Sequence, residues 1–390
     1  MKMKPLVTTL TGTTISPVQV GNSMNVALRH DAANDITAKV ASRATALTTA
    51  TMRAMAQSVY GPPDVLSLRT IARPTLGAAD VLVRVHAAAL HIGDSFGVRG
   101  APLVMRMVTG LFRPKPGVPG FDLAGVVEAV GSCVTTFRPG DAVFGASHGT
   151  CAEFVSAPAG QLALKPTNLT FEQAAAVPTS ALAALHGLRD AGGLKRGQKV
   201  LINGAAGGIG TFAVQIAKAF GANVTGVCST PNVDLVRSLG ADAVIDYTKE
   251  DFTRAGLQYD LLFDNVENRS LSECRRALTP AGTLVLNSGS GGKGLGLLVR
   301  LLQPLMLSPF VRQNLRRYLS QPNHTDLAVL KEFIEAGTLR PVIDRTFPLH
   351  ETPAALRHIE AGHARGKVVI TVNSAGAASV VQSTRISDRR

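Results

Sequence analysis

The chain of 390 residues is short of the features that mark several protein classes. Its four cysteines stand singly at positions 133, 151, 228 and 274. That excludes a disulfide framework and fits a reducing compartment, so a cytoplasmic location is expected. No apolar run reaches the roughly eighteen residues needed to cross a bilayer. The longest candidate, Leu295–Val311, is interrupted by Arg300, Pro304 and Pro309. Tryptophan is absent and tyrosine occurs four times, so few of the aromatic platforms that stack nucleic-acid bases are present. Acids are scarce as well: 27 Asp and Glu face 40 Lys and Arg, a formal charge of +13. Such a surplus can draw nucleic acid, but no dense Lys/Arg block with interleaved aromatics accompanies it, and no nucleic-acid partner is expected. A basic surface that attracts a polyanionic cofactor is the plainer explanation.

What is present is a phosphate-binding turn in the right setting. Val200-Leu-Ile-Asn-Gly-Ala-Ala-Gly-Gly-Ile-Gly-Thr211 leads into the amphipathic segment Phe212–Phe220. Gly204, Gly207, Gly208 and Gly210, with Ala205 and Ile209 between them, let the backbone turn tightly and approach a pyrophosphate. The helix that follows offers free N–H groups and the positive end of its dipole. Val200–Asn203 reads as a buried parallel strand, Gly221 ends the helix, and Val224–Val227 completes a βαβ unit. Ala243–Asp246, Leu261–Asp264 and Thr283–Asn287 read as further strands between helical stretches, predicting an open, doubly wound parallel sheet. A P-loop ATPase is disfavoured because no Lys-Ser/Thr pair follows the glycines.

The second strand bears on the choice of dinucleotide. It ends Gly226-Val-Cys-Ser-Thr230, with no acid before Asp234. A carboxylate there would repel a 2′-phosphate, whereas Ser229 and Thr230 can donate hydrogen bonds to it, so NADPH is favoured over NADH. Arg237 could add charge or simply belong to a solvated helix face. Asn265 and Val266, after the fourth strand, and Ser288 and Gly289, after the fifth, fall on the carboxyl edge, where nicotinamide contacts belong.

Residues 52–177 have β character, in Val81–His86, Gly125–Gly131, Asp141–Gly145 and Ala152–Val155. Residues 1–51 are Thr- and Ala-rich and nearly acid-free, which allows a transit peptide and hence an organelle. A disordered extension, or a start assigned too far upstream of Met52, is the favoured expectation. Residues 373–390 are expected to be a disordered tail.

The chain resembles the medium-chain dehydrogenase/reductase superfamily, in its zinc-free quinone oxidoreductase (zeta-crystallin-like) branch. The resemblance rests on Tyr60–Leu66, Pro119–Gly131, Phe137–Phe144, Ala152–Val155, Leu194–Val200, Gly204–Gly210, Leu239–Tyr247 and Gly366–Ile370, in family order over roughly residues 52–372. It implies an α/β protein with a GroES-like β domain over 52–177, completed by about 325–372, and a Rossmann NADPH-binding domain over 178–324. The active site would lie in the cleft between them.

Many relatives hold catalytic zinc through cysteine and histidine. Here Phe121 stands where they have the His of a Gly-His-Glu motif, Ala87–Gly93 has no cysteine, and the four-cysteine structural lobe is missing. His148 and Cys151 have a ligand-like gap, but the matching turn in this branch holds no metal, so no metal is expected. The resemblance then turns attention to His91, where relatives usually carry Asn, and to Asp94. His91 could hydrogen-bond to the acceptor oxygen, act as a general acid, or only position the nicotinamide. Asp94 is expected to orient its neighbours. Ala183 replaces a common Thr that touches the nicotinamide, for which Thr179 or Ser180 could compensate. Tyr247, near the adenosine 2′-phosphate, and Lys367, in the closing motif, complete the implied cofactor contacts.

The apolar stretches Ala101–Phe112 and Leu295–Phe310 suit the pocket of a small hydrophobic carbonyl or quinone substrate, though each could be core or subunit interface. The second, followed by Arg312, Arg316 and Arg317, is also compatible with membrane-surface contact. Family habit suggests a homodimer. The expectation is an NADPH-dependent, zinc-independent reductase of quinones, α,β-unsaturated carbonyls or related compounds. An alcohol dehydrogenase-like oxidation, or a non-catalytic NADPH-binding, crystallin-like protein, is the alternative.

Overall fold

A computed structural model describes residues 50–103, 105–115, 117–287, 303–304, 306–308, 311–362 and 364–372. The expectations for residues 1–49 and 373–390, for Ser288 and Gly289, and for most of Leu295–Phe310 lie outside the described residues.

The chain begins with a two-stranded antiparallel ribbon, β1 (Thr51–Ala56) and β2 (Ser67–Ala72). It then builds an antiparallel sheet from β3 (Asp80–Leu90), β4 (Asp122–Val130), β5 (Ala142–Ala146), β6 (Phe154–Pro158) and β7 (Leu162–Leu164). Two helices, α1 (Ile92–Arg99) and α2 (Met105–Thr109), interrupt it after β3.

Strand β3 continues beyond the alternating Val81–His86 through Ala87–Leu90. Both of its faces are covered there: Ala87 and Ala89 join one apolar cluster, Ala88 and Leu90 another. A strand buried on both sides loses the polar alternation that announces it.

Helices α3 (Phe171–Ala175) and α4 (Pro178–Leu185) carry the chain into a second sheet. Its elements run β8 (Lys199–Asn203), α5 (Gly208–Ala219), β9 (Asn223–Cys228), α6 (Val233–Ser238), β10 (Ala243–Asp246), β11 (Tyr259–Asp264), α7 (Leu271–Arg276), β12 (Leu278–Leu286) and β13 (Asn314–Arg317). All pairs are parallel, in the order β10-β9-β8-β11-β12-β13. The chain winds outward from β8 in one direction and resumes at β11 in the other. This leaves a crevice beyond the carboxyl ends of β8 and β11, the usual ligand position in such sheets. Val200, Ile202, Leu261 and Phe263 pack on one face, Leu201, Val227, Leu262 and Leu284 on the other.

After helix α8 (His324–Glu335), β14 (Ile343–Pro348), helix α9 (Thr352–Glu360) and β15 (Lys367–Thr371) follow. Strand β15 returns to the first sheet, lying parallel to β14 and antiparallel to β3. No described helix is long and apolar enough to cross a membrane.

Candidate active site

Strand β8 ends at Asn203, and Gly204 turns the chain at a φ of 81°, a left-handed conformation that favours glycine. The turn closes through Gly207 N–H on Gly204 O at 3.1 Å and is tied to β9 by Ala205 N–H on Val227 O at 3.0 Å. Gly207 caps α5 without a side chain, and the first return bond is Thr211 N–H to Gly207 O at 3.0 Å. The N–H groups of Ile209 and Gly210 find no protein acceptor among the described residues, whereas that of Gly208 faces Gly366 O across the Gly207–Gly366 bridge. Two unsatisfied donors at the positive end of a 12-residue helix fit a dinucleotide pyrophosphate.

The neighbouring strand ends supply the rest of this edge. Parallel register places Cys228 beside Asp246 and Asp264 beside Asn203, so the residues that follow them gather along one rim. Ser229 Oγ accepts from Asn232 Nδ2 at 3.0 Å, which leaves its own hydrogen to donate. Thr230 differs: its hydroxyl donates to Asp246 Oδ2 at 2.6 Å. Hydrogen bonds from Thr230 and then Thr248 hold the Asp246 carboxyl down at about 2. A carboxylate from the third strand therefore stands behind the supposedly acid-free second one, and Ser229 is the freer donor. Arg237 is exposed, its nearest carboxylate being Asp234 at 3.7 Å, and Tyr247 is exposed on the same edge.

At the other end, Asp264 is fully buried, and its Oδ1 accepts from Asn203 Nδ2, Val266 N–H and Glu267 N–H at 2.8, 3.1 and 2.8 Å. Burial pushes its carboxyl upward. These bonds shape the turn carrying Asn265 and Val266, and they hold Glu267 at a φ of 54°. Asn265 Oδ1 receives Asn287 Nδ2 at 3.0 Å.

From the antiparallel sheet, β3 delivers His91 as the N-cap of α1. His91 Nδ1 accepts Gly93 N–H at 3.0 Å, while Asp94 Oδ2 accepts the His91 N–H at 2.8 Å. This reciprocal pair is a capping box with histidine in the role usually taken by Ser or Thr. It assigns the hydrogen of the neutral ring to Nε2. That atom is buried and has no partner among the described residues. Asp94 is spent on the cap.

The two halves meet at Asp122, the first residue of β4. Its Oδ2 receives Lys367 Nζ at 2.9 Å, both side chains being almost wholly buried. Its Oδ1 receives Thr179 N–H at 2.9 Å and the Thr179 hydroxyl. Alongside, Gly366 N–H donates to Ala206 O at 2.9 Å, bridging β15 directly to the glycine turn. Sequence reasoning named Thr179 and Lys367 as cofactor contacts and gave Asp122 no role, although it lies within the Pro119–Gly131 motif. A lone acid between phenylalanine and leucine at the start of an apolar strand was the available signal. Ser180, buried in α4, has its hydroxyl 3.5 Å from where a Gly208 Cβ would stand.

Two other expectations meet the geometry here. Leu103, Met107, Leu111 and Phe112 are exposed, so these residues of Ala101–Phe112 are not core. Cys151 is buried and its thiol pushed upward by burial, while His148 is exposed against the Phe121 ring, 4.9 Å between centroids.

Residues 77–187 match the family described as alcohol dehydrogenase GroES-like domain, and residues 239–370 that described as zinc-binding dehydrogenase. The chain is 35% identical over 333 residues to NAD(P)H oxidoreductase RTN4IP1, mitochondrial, of Mus musculus, covering 75% of this chain and 82% of that one. It is 34% identical over 338 residues to 2-methylene-furan-3-one reductase of Solanum lycopersicum, covering 82% and 79%. The chain belongs to the medium-chain dehydrogenase/reductase superfamily. The quinone oxidoreductase structure from Coxiella burnetii superposes with a TM-score of 0.74 at 30% identity, over 83% of this chain and all of that one. Among the described residues no group of three His, Cys, Asp or Glu is placed to hold a metal ion.

Proposed function

We propose that this chain is an NADPH-dependent, zinc-independent reductase of quinones, α,β-unsaturated carbonyls or related carbonyl compounds. Its relatives include an NAD(P)H oxidoreductase, a furanone reductase and an NADPH-dependent alkenal/one oxidoreductase. The observation that supports the proposal is the Gly366–Ala206 bond, which ties the glycine turn to the start of β15, the strand paired with the His91 end of β3.

The N–H groups of Ile209 and Gly210 hold the pyrophosphate, and the Ser229 hydroxyl donates to the 2′-phosphate, with Arg237 and Tyr247 nearby. Asn265 and Val266 border the nicotinamide ring, which when bound supplies the hydride. His91 donates its Nε2 hydrogen to the acceptor oxygen as negative charge gathers there, an interaction strongest at the transition state. A homodimer in a reducing compartment, cytoplasmic or organellar, belongs to the same proposal.

A panel of quinones, enones and alcohols, each run with both dinucleotides, tests it. NADPH is expected to bind about tenfold or more tightly than NADH, about 1.4 kcal/mol, the scale of one charge-assisted hydrogen bond. Fluorescence titration of both cofactors reads this directly, and equal affinities would remove the assignment to Ser229. Chelators are expected to leave the rate unchanged; stoichiometric zinc in a chelator-sensitive enzyme would refute the zinc-free mechanism. Oxidation of alcohols with no reduction of quinones or enones would reverse the proposed direction.

A further inference from the structure

We infer that Asp122, Lys367 and Thr179 form a buried positioning element that sets the distance between the dinucleotide turn and His91. This rests on the reductase proposal above and assigns Lys367 and Thr179 a task other than direct cofactor contact. A lysine near a phosphate-binding turn is ordinarily read as an anion ligand, but this one is paired with a carboxylate and almost wholly buried. Its ammonium lies 2.9 Å from Asp122 Oδ2, with side-chain exposures of 2% for Lys367 and 0% for Asp122. Turning toward a phosphate would leave the buried carboxylate without its counter-charge, held by Thr179 alone.

The cluster's value lies in what its members adjoin. Asp122 stands opposite Ala89 in the β3–β4 ladder, two residues before His91. Val368, next to Lys367, stands opposite Leu90, one residue before His91. On the other side, Gly366 N–H holds Ala206 O at 2.9 Å, and a Cβ on Gly208 would lie 3.3 Å from Lys367 Cδ. Thr179, which gives Asp122 both its N–H and its hydroxyl, opens α4, and α4 packs along α5 behind the turn. Three segments distant in sequence are thus joined around one carboxylate. Water is excluded, so the pair is little screened and its geometry stiff. Hydride transfer needs reacting atoms held near 3–3.5 Å, and misplacement by about 1 Å can cost about 100-fold in rate. A hub linking both walls of the cleft sets that spacing without touching either reactant.

The test uses the full chain as wild type, Lys367→Met, Lys367→Arg and the double variant Asp122→Leu/Lys367→Met. The double variant leaves no unpaired buried charge, so it keeps the question answerable if Lys367→Met fails to fold. NADPH affinity, the fluorescence lifetime of bound NADPH, acceptor KM and kcat are measured for each. In Lys367→Met and the double variant, NADPH affinity is expected to stay within about threefold of wild type and kcat to fall about tenfold. Acceptor KM should change little, the bound-NADPH lifetime should shorten toward the free value, and Lys367→Arg should recover part of both losses.

Loss of NADPH affinity by about tenfold, with kcat unchanged at saturation, would make Lys367 an anion ligand and overturn the inference. A double variant with wild-type lifetime and kcat would overturn it equally. A wild type that binds NADPH but reduces no acceptor removes the reductase proposal alone, because the lifetime comparison still decides the positioning role.

Discussion

Replacing Gly210 by alanine is expected to abolish tight dinucleotide binding and to lower thermal stability, although only one methyl group is added. A Cβ at this position would overlap Gly204 O and lie 2.7 and 2.8 Å from Ala205 Cα and C. All three are backbone atoms, so no rotamer change relieves the clash; α5 must move away from β8. That motion opens a core in which Ala213, Val214 and Ile216 are fully buried. Overpacking of this kind costs about 1–3 kcal/mol, which for two domains of this size lowers the midpoint by roughly 2–12 °C. It also withdraws the N–H groups of Ile209 and Gly210 together. Losing two hydrogen bonds to a charged group, at about 1.5–3 kcal/mol each, weakens NADPH by about 100-fold or more. Calorimetry and fluorescence titration measure the two effects. Gly160, with nothing within 4 Å of its notional Cβ, supplies the control, since alanine there should leave both unchanged. A Gly210→Ala protein with wild-type affinity would mean the turn does not hold the pyrophosphate through these donors.

The parallel sheet was legible because its strands are buried on both faces and separated by amphipathic helices. Ala243–Asp246 is found over the expected residues, and Val200–Asn203, Val224–Val227 and Leu261–Asp264 gain only one or two residues at their ends. Strand β13 escaped notice because Asn314-Leu-Arg-Arg317 buries only Leu315; as the outermost strand it needs one apolar anchor. The first sheet was legible in pieces. Its continuation through Ala87–Leu90 depends on partners far along the chain, which local periodicity does not encode, and its completion by the returning chain is expected from the family resemblance alone.

The candidate site divides in the same way. The glycine turn could be found because its function demands particular backbone shapes, and only glycine meets them cheaply. The strand-end polar residues followed from topology. Unseen was how each hydroxyl and carboxylate is already engaged, since hydrogen-bond partners are a property of the packed structure. Thr230 and Ser229 look alike in the sequence, yet one hydroxyl is spent on Asp246 while the other keeps its hydrogen. Asp122, whose partners are 57 and 245 residues away, is the extreme case.

Among side chains that would touch the acceptor, His91 is expected to matter most. His91→Ala should lower kcat about 100-fold while NADPH affinity stays near wild type, because removing one preorganised donor from a developing oxyanion costs about that much. The variant also loses its cap on α1, so about 1 kcal/mol of stability should go with it. His91→Asn separates these effects. An asparagine oxygen can accept Gly93 N–H as His91 Nδ1 does at 3.0 Å, and its amide still offers a donor hydrogen. It cannot, however, give up a proton. If His91 acts only by hydrogen bonding, His91→Asn should keep kcat within about tenfold of wild type, as the asparagine usual at this position in the resembling branch suggests. If proton transfer from Nε2 is required, asparagine should be as damaging as alanine despite restoring the helix cap. Thermal melts establish whether the cap is restored, and kcat then decides between donor and acid. A His91→Ala enzyme within about threefold of wild type would leave the residue only its place at the start of α1.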